Sequence, residues 1–142
     1  MVAYNFQPEF ISPILLGTKV STIRPDGKRR HARAGEEVQL YVGMRTPDCA
    51  LLLRARCLRS LPIEIHADHV RADGQCKANP VYYEILARNE GFSSFGNLQA
   101  WFDRRYGLPA VGFTQIIWDF GAAQDVAALA EFAGRVDVRG PA

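Results

Sequence analysis

Between Gly17 and Arg30 the chain reads GTKVSTIRPDGKRR, which sets an amine (Lys19), two hydroxyls (Ser21, Thr22) and a guanidinium (Arg24) within one short stretch. These groups can support acid–base and acyl-transfer chemistry. A lysine removed from water, or held near Arg24, has its pKa lowered toward neutrality and can act as a base. Thr22 is the weak nucleophile that such a base would activate. Arg24 offers a planar fork suited to phosphate, or to a carbonyl oxygen gathering charge. The competing reading is an exposed strand edge blunted by charge. A strand built only for packing would carry Val, Ile or Phe on its inner face.

These side chains depend on the elements around them. Phe10, Ile11, Ile14 and Leu15 fall at helical spacing, with Pro13 bending or shortening that helix and Gly17 as its stop. Ser21 to Arg24 reads as a brief strand, ended by the turn Pro25-Asp26-Gly27. Lys19 follows a glycine turn, so no strand register holds it and its amine is able to swing into a cleft. Val38, Leu40 and Val42 alternate with Gln39 and Tyr41, the period of a half-buried strand. Ala50 to Leu58 is a longer strand, with Leu51, Leu53, Ala55 and Cys57 on one face and Leu52, Arg54, Arg56 and Leu58 on the other. Pro62 is expected to break it, Ile63, Ile65 and Val70 mark a further strand, and Asp73-Gly74 is a turn.

Pro80 opens a helix to about Arg88 that Gly91 terminates, and Ser93 or Ser94 caps a second helix through Arg105. The apolar face of that second helix is Leu98, Trp101, Phe102 and Tyr106. Phe113 to Phe120 is a closing strand. Strands grouped before helices argue against regular βαβ winding and for an α+β domain or small barrel. An alanine-rich helix over residues 125–133 and a Gly-Pro tail follow. The domain is therefore drawn over residues 1–120, with a C-terminal extension over 121–142.

The chain has 142 residues, 48% hydrophobic and 23% charged, which suits one soluble domain with a real core. No apolar run is long enough to span a membrane and the N-terminus lacks the layout of a signal peptide, so a cytoplasmic protein without a membrane partner is expected. Three irregularly spaced cysteines argue against a disulfide framework. Net charge is only +2, yet Arg24, Lys28, Arg29, Arg30 and Arg33 are crowded together with His31. Such a cluster is either an electrostatic footprint for RNA phosphates, with Arg29 and Arg30 as contacts, or a solubilising loop.

Taken in order, several segments resemble the ASCH family of the PUA-like superfamily. They are FISPILLGTK, the Lys19-Val-Ser-Thr22-Ile-Arg24 strand, GEEVQLYVGMRT at 35–46, EGF at 90–92, LQAWFDRRYG at 98–107 and GFTQIIWDF at 112–120. The likeness spans roughly residues 4–120. It implies a small PUA-like β-barrel with flanking helices, to which the C-terminal helix is appended, and a cleft lined by the Lys19–Arg24 strand. It also implies an RNA or modified-nucleoside ligand. In one branch of the family the activity is amide hydrolysis of N4-acylated cytidine, in another RNA cleavage. Lys19 and Thr22 match the lysine and threonine of the amidohydrolase motif, which work with a carboxylate further along. Asp73 or Glu64 is expected to supply it.

Beside this site, Tyr41 could stack on an unpaired base next to Arg45. His66 and His69 form H-x-x-H between Cys57 and Cys76, but on a strand they point to opposite faces, which argues against joint metal binding. Trp101, Phe102, Tyr106, Phe113 and Trp118 are read as core. The first reading is thus a recognition domain that binds RNA or a modified nucleoside through Lys19, Thr22, Arg24, Tyr41 and Arg45. The second is a hydrolase in which Lys19 is base and Thr22 nucleophile. Neither calls for a cofactor or metal. A third, an interaction module, rests on Val126, Leu129 and Phe132 of the C-terminal helix.

Overall fold

The structure, a computed structural model, describes residues 1–124. Its elements run β1 (Val2–Phe6), a 3-10 turn (Pro8–Phe10), α1 (Ile11–Leu16), β2 (Ser21–Pro25), β3 (Glu37–Val42), β4 (Ala50–Ile65), β5 (Val70–Ala72), β6 (Gln75–Lys77), α2 (Pro80–Asn89), α3 (Phe95–Tyr106) and β7 (Ala110–Gln124). All seven strands join one sheet, curled into a half-barrel, with three short helices against it. No helix among the described residues is long and apolar enough to cross a membrane. The expected C-terminal helix, with Val126, Leu129 and Phe132, lies outside the described residues.

The long strand β4 is the spine. It pairs antiparallel with β3, β5 and β7, and β7 in turn pairs antiparallel with β2. The sequence order was expected to start with a helix, but Val2–Phe6 is a strand that pairs parallel with β3. Tyr4 and Phe6 are its buried face. Its alternation is too short to stand out beside the helical pattern that follows.

Two readings of β4 are corrected. Pro62 does not end the strand, which continues to Ile65. At Pro62 the second partner, β5, joins, and only the proline's carbonyl is used: it accepts from Asp73 N–H at 2.9 Å. A residue without an N–H is tolerated where no N–H is asked for. Nor does Leu52 lie on the polar face. Leu40 pairs with Leu53 and Tyr41 with Leu51, so Leu52 is the extra residue of a bulge, and it is fully buried. Beyond Ile65 the chain turns, with His66 N–H on His69 O, before β5 begins.

The helix ends follow local chemistry. Asn79 caps α2 by accepting from Val81 N–H, and Ser94 caps α3 by accepting from Asn97 N–H. At the C-terminal end of α2, Phe92 N–H returns to Ala87 O and Gly91 N–H to Arg88 O, with Gly91 at φ +93°. This is a Schellman closure, and the left-handed glycine makes it possible.

The core has two parts. One gathers Phe6, Phe10, Ile14, Leu40, Leu52, Leu53 and Trp118; the other gathers Ile23, Ile63, Ile65, Leu86, Leu98, Phe102 and Phe113. Phe92 and Trp101 pack against both parts. Leu98 is fully buried in the second part. Leu98→Ala should lower unfolding stability by about 2–5 kcal/mol in a urea titration. A change under about 0.5 kcal/mol would mean that α3 is not packed as described.

Candidate functional site

At the seam between the two core parts lies a cavity of about 150 Å³, lined by Lys19, Thr22, Arg24, Glu90, Arg105 and a wall of aromatic rings. Phe6, Phe10, Phe92, Trp101, Phe102 and Tyr106 form that wall.

Lys19 is brought there by the end of α1. Gly17 turns through φ +79°, and Thr18 and Lys19 N–H groups both donate to Pro13 O at 3.0 Å. Val20 is then strapped between α2 and β7: its N–H donates to Asn89 O and its carbonyl accepts from Trp118 N–H, each at 2.9 Å. The side chain is 3% exposed, so the expected freedom to swing is absent. Its amine donates to Glu90 O at 2.6 Å and Ser21 O at 2.8 Å, and sits 4.7 Å from the Phe10 ring centroid. Glu90 O belongs to the C-cap of α2, where a cation or N–H donor complements the helix end. Gly91 lets the stem pass, since a β-carbon there would meet Lys19 Cδ and Phe10 Cδ1 at 3.0 Å.

The carboxylate beside Lys19 is that of Glu90, not of Glu64 or Asp73. Glu90 is 2% exposed, with Oε1 4.0 Å from the amine. Its Oε2 accepts a short hydrogen bond from Ser21 Oγ and a longer one from Gln115 Nε2 at 3.4 Å. Glu64 instead bonds His66 at 2.9 Å, and Asp73 holds Arg59 at 2.7 Å on the exposed hairpin turn.

Burial sets the protonation of the pair. Loss of water pushes Lys19 down to about 8; the Glu90 charge opposes the shift and Arg24 adds to it. Burial also raises Glu90, against the pull of Lys19, Ser21, Gln115 and Arg24. With a value near 8, roughly a tenth of Lys19 is neutral at pH 7. A neutral amine has two N–H groups, one for each of the two carbonyls, and one lone pair left over. Such a lone pair can take a proton from a hydroxyl in the same cavity.

The Thr22 hydroxyl lines that cavity. It is 4% exposed, and its Oγ1 accepts from Arg24 Nε at 2.9 Å. Thr22 and Arg24 stand two apart in β2, on one face. Arg24 is held in turn by Asn5 O at 2.6 Å and by the Phe6 ring, 4.6 Å away. A cationic donor on Oγ1 stabilises negative charge developing there.

The structure thus brings Lys19, Thr22 and Arg24 together and leaves other expected residues apart. Tyr41 lies on β3, half-buried, with its hydroxyl on Gln39. Arg45 is exposed in the turn after β3, at φ +66°. Neither lines this cavity. Arg30 is engaged by both oxygens of Glu36 at 2.8 and 2.7 Å, and Arg29 lies in the same surface loop. The imidazoles of His66 and His69 do not face opposite ways: their segment is a turn, and the rings stack 4.2 Å apart. The described residues contain no cluster of three candidate metal ligands, and all three cysteines are free thiols.

Trp101, Phe102 and Tyr106, read from sequence as core, also form the cavity wall. Glu90, Gln115 and Arg105 were not anticipated. For Glu90 a signal existed, because an acid at the C-terminal end of a helix opposes the macrodipole and needs another reason to be there. Gln115 and Arg105 carried none.

Lys19 should titrate near 8 when followed through its side-chain amine by NMR. Glu90→Gln removes the charge that holds this value up and should move it lower; Arg24→Gln should move it higher. A wild-type value at the ordinary 10.5, or no response to either variant, would rule out this electrostatic account.

Comparison with protein-family models, with curated proteins and with solved structures gives no match.

Proposed function

We propose that this chain is a small amidohydrolase of the ASCH type that cleaves the exocyclic amide of an N-acylated pyrimidine. The observation that carries this reading is the burial of Lys19 and Glu90 together beside Thr22 in one cavity. A recognition module needs only the positive charge of Lys19. It does not require the amine to be stripped of water and depressed to about 8. The curled sheet with flanking helices is compatible with a PUA-like barrel, and the aromatic wall suits a planar ring.

Cavity size helps to choose among ligands. About 150 Å³ is the size of an engineered cavity that takes up benzene, so one six-membered ring fits.

In this mechanism neutral Lys19 removes the proton from Thr22 Oγ1 as it attacks the acyl carbonyl, and the C–O bond forms. The Lys19 ammonium then delivers that proton to the departing exocyclic nitrogen as the C–N bond breaks. The acyl group is left on Thr22 as an ester. Water, deprotonated by Lys19 in a second cycle, releases it as a carboxylic acid and restores the hydroxyl. Arg24 steadies Oγ1 as charge builds, and Glu90 balances the ammonium formed between steps.

The sign of the pH dependence follows. The reactive form is the unprotonated amine, so turnover should rise with pH through about 8 and level off above it. Lys19→Ala should reduce turnover of N4-acetylcytidine by about 10²–10⁴-fold. Lys19→Arg should fail as well, because guanidinium does not release its proton. Thr22→Ser should retain turnover that Thr22→Ala loses. Activity surviving Lys19→Ala would eliminate the lysine mechanism, and ligand binding with no turnover in any assay would favour a recognition domain instead.

A further inference from the structure

Two guanidinium groups line this one cavity, and the mechanism uses only part of one. Arg24 gives Nε to Thr22 and one Nη2 N–H to Asn5 O, leaving the rest of its fork unengaged. Arg105, in the last turn of α3, has its Cζ 5.2 Å from the Trp101 ring centroid and 6.0 Å from that of Tyr106. It makes no hydrogen bond or ion pair among the described residues. A guanidinium lying on aromatic faces keeps its N–H edge for a ligand. A helix-end cation can serve only the macrodipole, and Arg104 beside it is placed for that role. Of the two, however, only Arg105 lines the cavity.

The charge balance is the second observation. Among the described residues Glu90 is the only acid lining the cavity, against Lys19, Arg24 and Arg105. The cavity therefore stays positive whether or not Lys19 carries its proton. The charge of Arg105 is felt at Arg24, whose own protonation it disfavours. Positive charge in excess on one small cavity favours an anionic ligand.

We infer that the substrate is a nucleoside monophosphate, its ring in the aromatic cavity and its phosphate held by Arg105, the guanidinium that is not tied to Thr22. This rests on the amidohydrolase reading and names the substrate more closely. A phosphate monoester carries about −1.5 to −2 at pH 7 and a phosphodiester of RNA about one charge, so a cavity with excess positive charge draws the monoester more strongly. In such a nucleotide the exocyclic amide and the phosphate lie at opposite ends, so the phosphate is assigned to Arg105 on α3 and not to Arg24 beside Thr22.

The test compares kcat/KM for N4-acetylcytidine and its 5′-monophosphate, using the full chain. The nucleotide should be preferred by about ten- to hundredfold, the usual worth of a charge-assisted contact. Arg105→Gln should lower that ratio by a similar factor, and Arg104→Gln should leave it alone. Calorimetry with cytidine 5′-monophosphate and with cytidine gives a readout independent of turnover, with the same preference lost in Arg105→Gln. Equal kcat/KM for both substrates, or a ratio that Arg105→Gln does not change, would overturn the inference while leaving the hydrolase reading in place. No turnover of either substrate, with the monophosphate still bound preferentially through Arg105, would reject the hydrolase reading and keep the phosphate site. Tighter binding of a short cytidine oligonucleotide than of the monophosphate would also overturn it, in favour of an RNA ligand.

Discussion

A lysine without access to bulk water must find its hydrogen bonds and its counter-charge inside the protein, and here Lys19 does so at the end of α2. Its amine satisfies the carbonyl of Glu90 at the helix terminus and that of Ser21 at the start of β2. The Glu90 carboxylate, 4.0 Å away, is itself held by Ser21 and Gln115. One buried amine therefore ties together the cap of α1, the first residue of β2, the end of α2 and a position in β7. Such a pair stabilises a fold weakly when intact, yet removing one partner strands a charge and is costly. Its more telling consequence is geometric: the amine and the Thr22 hydroxyl are held on one cavity by elements that cannot move independently.

The glycines serve this arrangement at two points. Gly17 turns the chain out of α1, where a β-carbon would meet the Phe120 ring at 2.7 Å. Gly91 closes α2 and lets the Lys19 stem pass under it. Both adopt positive φ, which a side chain would strain. The aromatic rings around the amine contribute differently. By excluding water they lower the pKa of Lys19, and their faces accept the positive charge when it is present.

The electrostatic asymmetry of the cavity is the property that most constrains its ligands. Among the described residues the cavity is lined by one acid and one amine, whose charges offset each other, and by two guanidinium groups on aromatic supports. An anionic or electron-rich planar molecule is favoured there over a cationic one. The exposed loop with Arg29 and Arg30, more prominent in the sequence, is partly neutralised by Glu36 and lies elsewhere.

Local chemistry determined a good deal of this protein from sequence alone. The period of Val38, Leu40 and Val42, the Pro80 and Ser94 helix starts and the Asp73-Gly74 turn are all carried by neighbouring residues, and the structure has them in those places. Tertiary structure decided what depends on contacts distant in the chain. Leu52 is buried because β3 and β4 slip by one residue, and Pro62 stays in its strand because its partner there asks only for a carbonyl. Glu90 stands beside Lys19 although 71 positions separate them, because α2 ends over the start of β2. No spacing in the sequence encodes that meeting; the packing of a helix end on a strand does. Without it a lysine remains an ordinary cation, and with it the amine lies in a water-poor cavity where it can shed a proton near neutral pH.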